Sequence, residues 1–426
     1  MGKLLVVMLL GMFLASESVE ALDYGEALNK SILFFEGQRS GKLPTNQRVK
    51  WRAESGMSDG ASANVNLIGG YYDAGDNVKF VWPMSFTTTL LSWAALEYQN
   101  EITSVKQIGY LRSTIKWGTN FILRAHTSPN MLYTQIIVVG KDQKIWTHLE
   151  LFYSISSSSP GSEVAGEAAA ALAAASLVFK PVDSIFSSTL LNHAKSLFEF
   201  ADKYRGSYQA SCPFYCSHSG YQEFYNGTND LEKFKTDVES FVCALMPGSS
   251  SQQIKPTPGG ILFIRDNSNL QYVTTATTIL LHYSNTLTKA GVGSIQCGST
   301  QFTVSQIRNF AKSQVDYILG NNPLKMSYMV GFGTKYPTQP HHRGSSLPSI
   351  QSKPEKIDCN GGFSYYSSDT PNPNVHIGAI VGGPNSSDQY SDKRTDYSHA
   401  EPTTYINAAF IGPVAAMISS SQQTYI

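Results

Sequence analysis

At 426 residues the chain is long enough for one large domain or two to three ordinary ones. Lys plus Arg and Asp plus Glu balance at 32 each, and charged residues make up only 15%, so no basic excess or charge run is there to hold a nucleic acid. Aromatic residues reach 12%, more than a core of this size requires, which leaves some rings to line a cleft while most pack the core.

In chain order, Lys3 precedes an apolar run, Leu4 to Leu14, that ends in the small-residue pattern Val19-Glu-Ala21. The run is too short for a membrane span and a polar stretch follows it, so residues 1–21 read as a secretory signal peptide cleaved after Ala21. The mature chain, 22–426, is then expected to be soluble and free of the membrane. Acceptor sequons at Asn29, Asn226 and Asn385 suit that route. Of five cysteines (Cys212, Cys216, Cys243, Cys297, Cys359) at least one is unpaired, and the connectivity is open. Cys212 and Cys216 lack the second close pair or histidine cluster of a structural metal site, so a disulfide or buried thiols is the better reading.

Helical periodicity predicts helices over Tyr24 to Gly37, Met84 to Tyr98, Val105 to Ala125, Gly161 to Phe179, Leu190 to Tyr204, Leu270 to Thr288 and Val304 to Leu319. A weaker one covers Asp237 to Leu245, and a last one starts at Tyr405. Alanines crowd the stretch 164–176, which suits close helix packing. Long Gly/Ser/Pro/Asn segments at 38–70, 205–236, 246–268 and 331–404 separate the helices, and structureless loops of such length are usually functional. No regular strand–helix alternation and no linker is present. One all-α domain with its loops gathered at one end accounts for the pattern.

Two of those loops hold paired carboxylates among aromatic rings. One reads Gly69-Gly-Tyr-Tyr72-Asp73-Ala-Gly75-Asp76, the other Tyr390-Ser-Asp392 through Tyr397 to Glu401-Pro-Thr-Thr-Tyr405. Cleaving a glycosidic bond takes one carboxyl as proton donor and another as nucleophile or base, with rings to stack on sugar faces. Glu401, among Tyr397, Tyr405 and Ala400, is a candidate donor because apolar surroundings disfavour its charged form. Asp73 and Asp76 are candidates to activate water. From local sequence alone, a turn or helix-cap pair is the stronger reading of these two aspartates, and a solvated loop residue is the stronger reading of Glu401.

Both segments resemble the signature stretches of glycoside hydrolase family 9, the plant-type endo-β-1,4-glucanases. Tyr390, Asp392, Tyr397, Glu401, Thr403, Asn407 and Ala408 fit one signature; Ser327 to Lys335 with Pro340-His341-His342-Arg343 is similar to another; Asp73-Ala-Gly-Asp76 matches a third. The resemblance runs through nearly the whole mature chain. It implies an (α/α)6 barrel that cuts cellulose or a related β-glucan internally, by inversion and without a cofactor, as a secreted monomer of the cell wall. It implies Glu401 as general acid, Asp76 as base and Asp73 as water holder. Asp392 and His341 are implied as further members of the catalytic site, and Arg343, Tyr397, Tyr405 and Tyr72 as sugar-binding. A metal at His341-His342 is disfavoured, because adjacent side chains point apart and no third ligand is spaced nearby.

Two stretches depart from the family pattern, near 147–155 and 222–236, and no Trp follows position 146. The barrel is therefore expected to be incomplete, with some sugar-stacking platforms missing. A catalytically impaired member with weak glucan binding is the alternative reading, and a structural wall protein lacks the repeats it would need.

Overall fold

The computed structural model describes residues 22–139, 149–210, 231–355 and 357–422. The expected signal peptide (residues 1–21), Trp146, Cys212, Cys216, Asn226 and the larger part of the second departing stretch lie outside the described residues. Nine helices of fifteen residues or more are present among the described residues. They are α1 (Tyr24–Gln38), α2 (Val81–Glu97), α4 (Ile108–Ala125), α5 (Ser162–Phe179), α6 (Ser184–Lys203), α7 (Leu231–Leu245), α8 (Asn269–Lys289), α9 (Val304–Ile318) and α13 (Thr404–Gln422). Short helices α3 (Gln99–Ser104), α10 (Arg343–Ser346), α11 (Cys359–Tyr366) and α12 (Tyr397–Ala400) stand between them.

The periodicity placed each long helix, and the ends follow from caps. Asp23 accepts from Glu26 N–H at 2.8 Å to start α1, and Thr303 and Gln306 form a reciprocal capping box on α9. Packing runs as a circuit: α6 on α5, α5 on α2, α2 on α13, α13 on α8, and α8 on α9, with α1 backing α13 and α4 backing α2. Alanines 165, 168, 171 and 175 of α5 are essentially fully buried, so their small side chains let α2 and α6 approach on two sides. Each Leu or Ile buried in this core contributes about 1.5–3 kcal/mol.

The circuit does not close tightly between α5 and α8. There a cavity of about 920 Å³ has walls that include Val164 of α5, Leu245 of α7, Ala276 of α8 and Phe86 of α2, together with Asp73 and Tyr405. The neighbouring α7 packs on the hairpin β5 (Ser294–Cys297)–β6 (Thr300–Thr303) and is tied to it by a disulfide between Cys243 and Cys297.

The periodicity reading also lacked a larger antiparallel sheet. Its central strand β3 (Met131–Val139) pairs with β1 (Val78–Phe80), β2 (His126–Ser128) and β4 (Leu149–Ser156). The β-branched run Ile136-Ile-Val-Val139 favours this form. Most of the first departing stretch is thus a strand, and the first residues of α7 take up the end of the second.

Below the site, the 59–69 loop is locked by one buried cation. Lys79, on β1, pairs with Asp59 at 2.6 Å and donates to the carbonyls of Leu67 at 2.6 Å and Gly69 at 3.0 Å. Removing either charge would strand the other in the interior.

Candidate active site

The turn after Gly69 runs between α1 and β1. Tyr72 N–H donates to Gln38 O and Asp73 N–H to Val78 O, at 2.9 and 3.0 Å, so both ends of the turn are fixed by backbone bonds. Gly70 has φ +77°, and a Cβ there would lie 2.6 Å from the Phe121 ring, so glycine is required on both counts.

Three distant segments meet over this turn. Gly75 N–H donates to Glu401 Oε1 at 3.0 Å, Arg343 N–H donates to Gly75 O at 2.8 Å, and His341 N–H donates to Ala400 O at 2.9 Å. Thr404 N–H, in the first turn of α13, donates to Asp73 O at 2.9 Å. Glycine at 75 serves close approach: a Cβ would sit 2.4 Å from His341 O and 3.0 Å from Glu401 Oε1.

The carboxyls differ in surroundings. Burial holds Glu401 above the usual glutamate range; the Gly75 N–H and His341 pull the other way, and the Asp76 charge adds to the rise. Asp73, half-buried among the cavity walls, is pushed up to about 7 by burial and then by the Glu401 charge, against a weak bond from the Thr404 hydroxyl at 3.4 Å. Asp76 lies on the solvent side, 61% exposed, with its Oδ1 3.0 Å from Nη2 of Arg343. The turn therefore offers one proton-retaining carboxyl inside and one solvent-facing carboxylate outside, both within electrostatic reach of Glu401.

His341 accepts no proton at Nδ1, because that nitrogen faces Arg394 O at 2.6 Å and must donate to it. Its ring has Tyr397 and Tyr366 edge-on at 6.2 and 6.1 Å. Tyr397 is 57% exposed, free to meet a sugar face. Tyr405 lines the cavity, where burial and the Asp73 charge keep its hydroxyl above the usual tyrosine range.

Two expected site residues are employed elsewhere. Asp392 accepts from Thr338 N–H, Thr338 Oγ1 and Gln339 N–H at 2.8, 2.7 and 3.0 Å, so it shapes the loop leading into His341. Tyr72 is only 4% exposed, bonded through its hydroxyl to Ser55 Oγ at 3.1 Å and covered by the Arg52 guanidinium 4.7 Å from the ring centroid. Its expected role as a sugar platform is corrected to that of a loop wall, since the ring is buried, capped by Arg52 and bonded at its tip. Tyr366 and the exposed Phe363 of α11 are the rings that sequence reasoning missed. Their only signal was an aromatic pair within an irregular loop. His342, the neighbour of His341, is buried and bonded to Gln38 and Ser345.

Residues 24–228 and 222–414 match the sequence pattern of glycosyl hydrolase family 9. The chain belongs to that family. Endoglucanase 18 of Arabidopsis thaliana is 80% identical over 478 aligned positions, covering 99% of this chain and 100% of the relative. An endoglucanase of Phaseolus vulgaris is 55% identical, covering 96% and 95%. Among solved structures, an endoglucanase of the termite Nasutitermes takasagoensis superposes with a TM-score of 0.80 at 34% identity, over 94% of this chain and 100% of that one. The fold is accordingly an all-α (α/α)6 barrel. The alignment with the Arabidopsis relative is longer than the 426 residues available here, so that relative carries stretches with no counterpart in this chain. The family match likewise breaks into two parts at 222–228, inside the second departing stretch.

Proposed function

We infer that this family 9 hydrolase cuts internal β-1,4-glucosidic bonds of cellulose or a related β-glucan by an inverting acid/base reaction. Relatives at 80% and 55% identity that are named endoglucanases support the activity. The observation that carries the residue roles is the Gly75 N–H bond to Glu401, which brings the acid of one signature onto the turn that bears the aspartates of another.

In this reading Glu401 holds its proton through burial and gives it to the departing glycosidic oxygen. Asp76, on the solvent side, takes a proton from the water that attacks the opposite face of the sugar. Inversion requires the two carboxyls to stand roughly 6.5–9.5 Å apart so that this water fits. Asp73 orients the water from inside, and no step calls for a cofactor. Arg343 and His341 donate to sugar hydroxyls, Tyr397 and Tyr366 offer ring faces, and Asp392 holds the His341 loop in place. We further propose a monomer secreted to the cell wall. An N-terminus at Leu22 on material recovered from culture medium, with monomeric elution in size exclusion, checks that proposal.

No observation favours the impaired alternative. The decisive experiment is release of reducing ends from carboxymethyl-cellulose by the purified chain beside Glu401→Gln. Loss of about 10²–10⁴-fold in kcat with glucan binding retained is expected; undiminished turnover would remove Glu401 as the acid. The anomer formed first, read by proton NMR, reports inversion directly.

A further inference from the structure

Gln38 ends α1 and is fully buried. Its amide bridges two segments of the site. Nε2 donates to Tyr72 O at 3.2 Å and to Ala74 O at 2.9 Å, while Oε1 lies 2.7 Å from Nε2 of His342. The direction of these bonds is fixed from the far end. Ser345 N–H donates to Nδ1 of His342 at 3.0 Å, so Nδ1 carries the lone pair and Nε2 the proton. Burial, with His376 beside it, keeps the His342 ring neutral. His342 therefore donates to Gln38 Oε1, and the amide nitrogen has to face the two carbonyls.

The Ala74–Gly75 peptide group is one rigid plane, so its carbonyl and its N–H cannot turn independently. Gln38 grips the carbonyl, and the N–H of the same plane is the donor to Glu401 at 3.0 Å. We propose that Gln38 is a positioning residue for the general acid: by holding Ala74 O it aims the Gly75 N–H at Glu401 and so sets how readily that carboxyl releases its proton. The proposal rests on Glu401 being the acid, and it adds a residue more than 360 positions away in sequence to the control of that acid.

The donor stabilises the charged form of Glu401, so losing its aim must raise the pKa. Gln38→Met keeps the volume and removes both donors. In 13C-carboxyl NMR, with the Glu401 signal assigned by its loss in Glu401→Gln, the titration midpoint is expected to move up by about one pH unit. The alkaline limb of the kcat profile should follow it, with kcat reduced and KM little changed. His342→Phe releases Gln38 Oε1 and should give a smaller shift in the same direction; it takes over the test if Gln38→Met does not fold. An unmoved Glu401 midpoint in the folded variant overturns the proposal and leaves Gln38 a packing residue, whatever happens to kcat. Full activity in Glu401→Gln would instead sink the reading beneath it, so the two failures are told apart.

Discussion

The rim that carries the carboxylates and the flank between α5 and α8 are built by opposite means. At the rim, backbone hydrogen bonds join residue 75 to 343 and residue 73 to 404, and the Gly75 N–H donates to the Glu401 carboxylate. The loops are long, yet their ends are fixed group by group. On the flank, packing gives way to a cavity of about 920 Å³, and a disulfide helps to hold α7 to its neighbour. The family's longer relatives carry stretches that have no counterpart here. The bonded geometry of the rim and the packing of the flank are therefore separable. Bonds at the rim fix the acid against the turn that bears the aspartates, while the disulfide on the flank contributes to stability.

The largest expected effect lies on the flank. Replacing Cys243 and Cys297 together by Ser opens a link between residues 54 apart, and loop entropy of that size is worth about 4 kcal/mol. A urea midpoint should fall accordingly, while kcat of the folded fraction stays near wild type. A drop in kcat matching the loss of stability would erase the separation of rim from flank.

Gly75→Ala makes the converse break. Its Cβ would meet His341 O at 2.4 Å, so the backbone must retreat and carry the Glu401 contact with it. A misplacement on the order of 1 Å costs about 10²-fold in rate. Activity of the folded fraction on carboxymethyl-cellulose should fall by that factor, with some loss in urea midpoint because the clash is with backbone; unchanged activity would show that the rim has slack.

Much of this contrast was legible in the sequence, and the gaps have physical causes. Every long helix was readable because a 3.6-residue pattern is local, as in 269–289, where the apolar spacing alone marks α8. Glu401 and Asp73 stood out as candidates only through the family resemblance, and the bond that brings Glu401 to the aspartate turn at Gly75 spans 326 residues, which no local pattern encodes. The sheet was missed because β3 is a short β-branched run, which periodicity alone does not separate from a buried helix segment. Tyr72 was misread because a ring beside an aspartate looks alike whether it faces a sugar or, as here, Arg52. Gln38 was invisible since a glutamine at a helix end has no signature until its three partners are known.

Asp73 belongs to both regions, and the smallest predicted effect tests whether they meet there. Its backbone carbonyl is bonded into the rim through Thr404, whereas its side chain is one of the cavity walls. Burial and Glu401 move its pKa from 3.8 to about 7. Between these values the folded chain binds a proton that the unfolded chain has released, so stability falls as pH rises across this window. The penalty is absent below about pH 4 and complete above about pH 7, and asparagine at this position removes it. Asp73→Asn should therefore match wild type in stability near pH 4 and exceed it at pH 8, read from urea unfolding at both values. Hydrolysis should fall at the same time, because a neutral amide oxygen accepts from the attacking water more weakly than a carboxylate does. A gap equal at both pH values would mean that packing, not charge, sets the effect. A gap that opens with pH alongside lost turnover would make Asp73 the place where the rim's chemistry is maintained at the expense of the barrel's stability.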